Sequence, residues 1–171
     1  MKKQSKKLLL WSVVVLFLAG FAVLIVSNGG NSSQRPTEYS ASALAADEAD
    51  FDFGTISMKD GNVSHQFQIR NDGDELVVIQ KVYTSCMCTT ASLTDSDGKT
   101  YGTFGMPGHG GPSAAARVEV DPGEIIRVDA VFDPAAHGPS GVGLAERSVY
   151  LETNSQKSPK LELTFQAMVT R

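Results

Sequence analysis

Cys86 and Cys88 are the only cysteines of the 171-residue chain, and they stand two apart in the stretch Tyr83-Thr84-Ser85-Cys86-Met87-Cys88-Thr89-Thr90. On an extended backbone, residues i and i+2 project to one face about 6.6 Å apart, which leaves Met87 facing the other way. Such a pair suits a shared ligand. It also admits a disulfide near the upper end of the usual Cα separation, a bond that would be strained, easily reduced and labile rather than structural. Further soft donors follow: Met106 and His109 in one glycine- and proline-rich stretch, His137 in a second. Thiolate, thioether and imidazole together suit Cu(I) or Zn(II). Two Cys and two His would complete a tetrahedral zinc set, whereas two Cys with one Met or His would make a low-coordinate copper site. The methionines beside the other donors favour Cu(I), with Zn(II) second. The candidate metal ligands are therefore Cys86, Cys88, Met106, His109 and His137.

Two other functions compete with metal binding. Thiol–disulfide exchange at Cys86 and Cys88 would need a cation or a helix end near the thiols; the nearest basic residue in sequence is Lys81, and no Cys-x-x-Cys opens a helix. A protein-interaction or structural module needs no cysteine, since a sheet edge or a loop can capture a partner. The sequence does not point to an enzyme: it has no Gly-x-Ser-x-Gly elbow and no carboxylate pair that stands out from its Asp-rich turns. Gly138-Pro139-Ser140-Gly141-Val142-Gly143 lacks the Lys of a phosphate loop. His65 shares the apolar parity of its strand and reads as a core histidine. Met58 and Met168 read as plain sheet residues.

The elements that must position these donors are short strands. Phe51-Asp52-Phe53-Gly54-Thr55-Ile56 is the first. In the second, Val63, His65, Phe67 and Ile69 alternate with Ser64, Gln66, Gln68 and Arg70, and Asn71-Asp72-Gly73-Asp74 closes it as a hairpin-type turn. Residues 76–83 form the third and lead into the cysteines. A long Gly-, Ser-, Asp- and Pro-rich segment, 92–116, follows, of a length usually functional or disordered. Strands over 117–120, 125–132, 147–153 and 161–169 complete the set, with a second glycine-rich loop, 133–146, carrying His137. No helical stripe appears. Seven short alternating strands in this span argue an all-β, immunoglobulin-like antiparallel sandwich. In that order of strands the connections after the first, third and fifth emerge at one pole, which brings Cys86, Cys88, Met106, His109 and His137 to one end.

Ahead of the sandwich, Lys2, Lys3, Lys6 and Lys7 precede the apolar run LLLWSVVVLFLAGFAVLIV at residues 8–26. As a helix it spans roughly 28 Å, the thickness of a bilayer's hydrocarbon core. The run is longer than a signal-peptide core, and the nearest Ala-x-Ala patterns, at 41–43 and 43–45, lie well beyond it, which favours an uncleaved anchor. The sequence thus divides into a basic cytoplasmic segment (1–7), a transmembrane anchor (8–26), a flexible linker (27–47) and an extracytoplasmic domain (48–171). By the lysine bias the protein sits single-pass in the cell's inner membrane with its C-terminal domain outside the cytoplasm. Without those lysines the chain carries 11 basic and 19 acidic residues, a formal charge of −8, which excludes nucleic acid as a partner on charge grounds. The membrane is the expected partner, together with a protein at its surface.

Phe51-Asp52-Phe53-Gly54-Thr55-Ile56, His65-Gln66-Phe67 with Asn71-Asp72-Gly73, Cys86-Met87-Cys88-Thr89, Pro122-Gly123-Glu124, Phe132-Asp133 and Thr153-Asn154 together resemble a bacterial domain-of-unknown-function family, number 1573. The resemblance runs from Phe51 to about Val169 and implies an immunoglobulin-type sandwich related to PapD-like modules. The chain departs from the family pattern in two places: Met87 replaces the usual Gly between the cysteines, and the link to the Pro-Gly-Glu turn is expanded by the Met106 to His109 loop. The family implies a fold and no activity, so function rests on the site.

Overall fold

The computed structural model describes residues 39–108 and 114–171, and its strands follow the period of two. In β3 (Val63–Asn71), Phe67, Ile69 and Asn71 are buried while Ser64, Gln66, Gln68 and Arg70 face solvent. β8 (Ile125–Phe132) buries Ile126, Val128, Ala130 and Phe132, and β10 (Lys160–Thr170) buries Leu163, Phe165, Ala167 and Val169. The remaining strands are β1 (Leu44–Ala46), β2 (Asp50–Ser57), β4 (Val77–Thr84), β5 (Thr89–Thr94), β6 (Thr100–Phe104), β7 (Ala115–Val120) and β9 (Gly143–Thr153). They form two five-stranded sheets, β1-β3-β8-β5-β6 and β2-β10-β9-β4-β7, whose inward faces make one apolar core. This is an all-β sandwich. Among the described strands every pairing is antiparallel except β2 on β10, a parallel pair that needs a long connection between its members and has one here.

Ten strands stand among the described residues where the sequence suggests seven. β1 lies in the stretch read as linker: Leu44 pairs with Asn71, and Ser40 bridges Ser155, so the sandwich takes in residues well before 48. β6 and the second half of β5 lie in the stretch read as a long loop, and the two strands form a hairpin. Its turn is held by the Asp95 carboxylate, which accepts from the backbone N–H groups of Asp97 and Lys99. The alternation in β5 is real, with Thr89, Ala91 and Leu93 inward, but two of the three are small or polar and the hydrophobic period is faint.

Asn71-Asp72-Gly73-Asp74 is also not a hairpin. It carries the chain from β3 in one sheet to β4 in the other. Asn71, fully buried, donates from Nδ2 to the carbonyls of Glu75 at 2.8 Å and Val120 at 3.0 Å and accepts from Gly73 N–H at 3.1 Å. Two backbone hydrogen bonds, Asn71 N–H to Glu124 and Gly123 N–H to Asn71, tie in the turn between β7 and β8. That pole is thereby closed by polar contacts. Among the described residues no helix is long and apolar enough to cross a membrane, and the anchor expected at 8–26 lies outside them.

Candidate functional site

Two of the connections that carry the chain from one sheet to the other build the site. One is the step from β4 to β5, which contains both cysteines; the other is the step from β8 to β9, which contains His137. β4 stops at Thr84, so the cysteines do not extend it. Cys86–Thr89 is a tight turn in which Thr89 N–H donates to the Cys86 carbonyl at 3.2 Å. Thr84 Oγ1 lies 2.9 Å from the Cys86 carbonyl and 3.0 Å from that of Thr89. The turn is fixed outward as well: Ser85 N–H donates to Ser148 O, Ser148 N–H donates to Ser85 Oγ, both at 2.9 Å, and Asp133 N–H donates to Cys88 O at 2.9 Å.

The turn alters two expectations drawn from an extended pair. Cys86 and Cys88 are joined by a disulfide whose Cα atoms are 5.2 Å apart, well inside the common range rather than at its limit. Met87 does not face away from the site, because a turn has no strict alternation: it is 55% exposed and lines the same pocket as Cys86.

That pocket is open, about 490 Å³, and is lined by Ser85, Cys86, Met87, Met106, His137, Glu146 and Arg147. His137 Nε2 lies 3.1 Å from Cys86 Sγ, and Cys88 N–H donates to the same sulfur at 3.2 Å. His137 is held by the short 3₁₀ turn it precedes, Gly138–Gly141, where Ser140 Oγ donates to the His137 carbonyl at 2.7 Å. The donor atoms of Cys86, Cys88 and His137 all lie within 4.8 Å of one another. Of the five sequence-derived candidates, four therefore border one site: three in mutual reach and Met106 lining the pocket. His109 falls outside the described residues.

Arg147 is the residue that sequence reasoning missed. Its Nε donates to Cys88 Sγ at 3.0 Å, across 59 positions, so the cation beside the thiols is Arg147 on β9 and not Lys81. Lys81 instead pairs with Glu152 at 2.9 Å on the outer face of the sheet. No local signal could have revealed Arg147; only the β4–β9 register, with Thr84 opposite Val149, brings it alongside. His65 is no ligand. It stacks on Phe51 with ring centroids 3.6 Å apart and reaches Glu48 at 3.2 Å.

Comparison with known proteins bears on the fold. Residues 44–101 match the family model described as a protein of unknown function, DUF1573, a stretch that begins earlier and ends sooner than the quoted motifs suggest. No curated protein matches the chain. A crystal structure of a protein of unknown function from Porphyromonas gingivalis W83 superposes with a TM-score of 0.55 at 15% identity, covering 80% of this chain and 51% of that one. This chain thus spans about half the length of that protein. Looser likenesses are human CEP192 PapD-like domain 7 (TM-score 0.42, 13% identity, 84% of this chain and 95% of that one) and the periplasmic chaperone SfaE (TM-score 0.41, 7% identity, 75% and 59%). At 15% identity the Porphyromonas gingivalis likeness shows the fold alone.

Proposed function

We propose that this sandwich, whose residues 44–101 carry the DUF1573 match, is a binding module that takes a soft metal ion, Cu(I), on Cys86, Cys88 and His137 when its disulfide is reduced. The observation that carries the reading is the convergence of two sulfurs and one imidazole nitrogen within 4.8 Å, with Cys86 and His137 lining an open pocket and Cys88 buried behind them. In the disulfide form the sulfurs are bonded to each other, so the donor set exists only after reduction. It then comprises two thiolates and an imidazole, with the thioethers of Met87 and Met106 on the same pocket wall, which is the softness Cu(I) prefers.

Charge separates the two metals. Cu(I) on two thiolates carries a net −1, which the Arg147 guanidinium beside Cys88 neutralises; Zn(II) on the same pair is already neutral and would gain an uncompensated positive neighbour. Zn(II), with His109 as fourth ligand, is therefore second. The reading is of a metal-handling module rather than an enzyme. We place it outside the cytoplasm at the inner membrane on a single-pass anchor at residues 8–26, where a protein partner at the membrane surface would give or accept the ion. Carbonate extraction tests the anchor: release of the protein into the soluble fraction would defeat it.

The site is tested by titrating the phosphine-reduced full-length protein with Cu(I) against a competing chelator. One ion per chain is expected, with binding lost in Cys86→Ser and in Cys88→Ser and weakened in His137→Ala. A Cys86→Ser, Cys88→Ser double variant that competes as well as the parent would overturn the proposal.

A further inference from the structure

Each sulfur of the ring receives one N–H, Cys86 from the Cys88 backbone and Cys88 from Arg147, but the two differ in access and in the charge of that donor. Cys86 is partly buried yet lines the open pocket; Cys88 is 4% exposed and does not. Cys88 Sγ receives the Arg147 Nε–H at 3.0 Å, and Thr89 Oγ1 lies 3.8 Å from it. Cys86 Sγ faces the imidazole of His137 at 3.1 Å. An attacking thiolate can reach only an accessible sulfur, and exchange is faster when the departing sulfur is stabilised as its thiolate.

We infer that the Cys86–Cys88 disulfide is a directional oxidant of accessible thiols, in which an incoming thiolate attacks Cys86 and Cys88 departs as a thiolate onto Arg147. In the first step the substrate thiol, its proton lost to solvent, forms a bond to Cys86 Sγ. The Cys86–Cys88 bond breaks, and its electron pair goes to Cys88 Sγ beside the guanidinium. In the second step a second thiolate of the substrate attacks its own sulfur in the mixed disulfide and releases Cys86 next to His137. Two substrate thiols become a disulfide and the protein's disulfide becomes two cysteines, two electrons and two protons passing from substrate to protein and solvent. The substrate class is a dithiol, small or on an exposed protein loop, since the pocket is open. The activity stands apart from metal binding, although its product is the form in which the donors are free.

Glutathione serves as the probe, added to the oxidised full-length protein with iodoacetamide present to alkylate any thiol released; peptide mass mapping then locates both groups. Glutathione on Cys86 and the alkyl group on Cys88 are expected. Glutathione mainly on Cys88, or divided evenly, would overturn the assignment, as would a disulfide that resists both millimolar glutathione and dithiothreitol. In the folded Arg147→Gln variant, reduction by dithiothreitol should slow on the order of tenfold, the scale of a lost charge-assisted hydrogen bond, and Arg147→Lys should restore much of the rate. An unchanged rate in Arg147→Gln removes Arg147 from the reaction. Cu(I) affinity of the pre-reduced parent is measured separately, so failure of the exchange reading and failure of the metal reading give different patterns.

Discussion

Reducing the Cys86–Cys88 bond should leave the sandwich folded, and the expected cost can be worked from the chain. A cross-link stabilises chiefly by removing loop-closure entropy from the unfolded chain, and here the closed loop holds about three residues, which gives about 1.6 kcal/mol near room temperature. Folded domains of this size hold about 5–15 kcal/mol in all. The turn also keeps its other fastenings: the Thr84 hydroxyl, the Ser85–Ser148 pair and the Asp133 N–H on the Cys88 carbonyl involve no sulfur bond. Urea unfolding of metal-free full-length protein, with and without a phosphine reductant and with thiols counted, should therefore show one cooperative transition in both cases. At a slope of about 2 kcal/mol per molar urea, the midpoint should fall by about 0.8 M on reduction. A loss of about 4 kcal/mol or more, or a transition that ceases to be cooperative, would mean that the ring is a structural staple. If the cooperative transition itself is lost, the reduced, metal-competent state argued for above does not exist as a folded species.

Asn71→Ala should cost about 3 kcal/mol, one for each of the three hydrogen bonds its buried side chain makes, read as a urea midpoint shift with no change in disulfide reactivity at the other pole. Gly73→Ala should destabilise by about 1–3 kcal/mol, because a Cβ there would overlap the Ser42 side chain and come within 2.9 Å of its Cα, displacing the hydroxyl that accepts from Glu75 N–H. Stability should also fall in acid. The Asp52 carboxyl is held below the usual carboxylate range by the Gly54 N–H and then by the Gln166 amide, and that of Glu152 by the Lys81 ammonium. A carboxyl whose folded pKa is depressed contributes at neutral pH and loses that contribution as pH drops below about 4, so the urea midpoint should decline there, and less steeply in Asp52→Asn.

Most of the sheet content was readable because alternation is a local property: β3, β8 and β10 carry large apolar residues at every second position, and their partners do not change that. β5 and β1 were missed because neither has a strong period of its own. Thr89, Ala91 and Leu93 become inward-facing only when β8 lies alongside, and β1, three residues long, exists by pairing with β3. The Asn71 turn was misread for a related reason. Asn-Asp-Gly is the chemistry of a tight reversal, but a buried Asn71 bonded to Val120, 49 positions away, sends the chain into the other sheet.

The sequence by itself determined the candidate donors: two sulfurs two residues apart, with His137 and Met106 in glycine- and proline-rich connections, are covalent facts. The tertiary structure decided everything that depends on distance. It ended β4 at Thr84, so that Cys86 and Cys88 close a turn instead of flanking an extended residue, and it turned Met87 toward the pocket. It also set Arg147 against the buried sulfur and His137 against the one that borders the pocket, which makes the pair asymmetric. Local propensity is written in neighbouring residues, whereas the charge and access of a sulfur are set by whatever the register of distant strands brings within about 3–4 Å of it, and no sequence spacing encodes that.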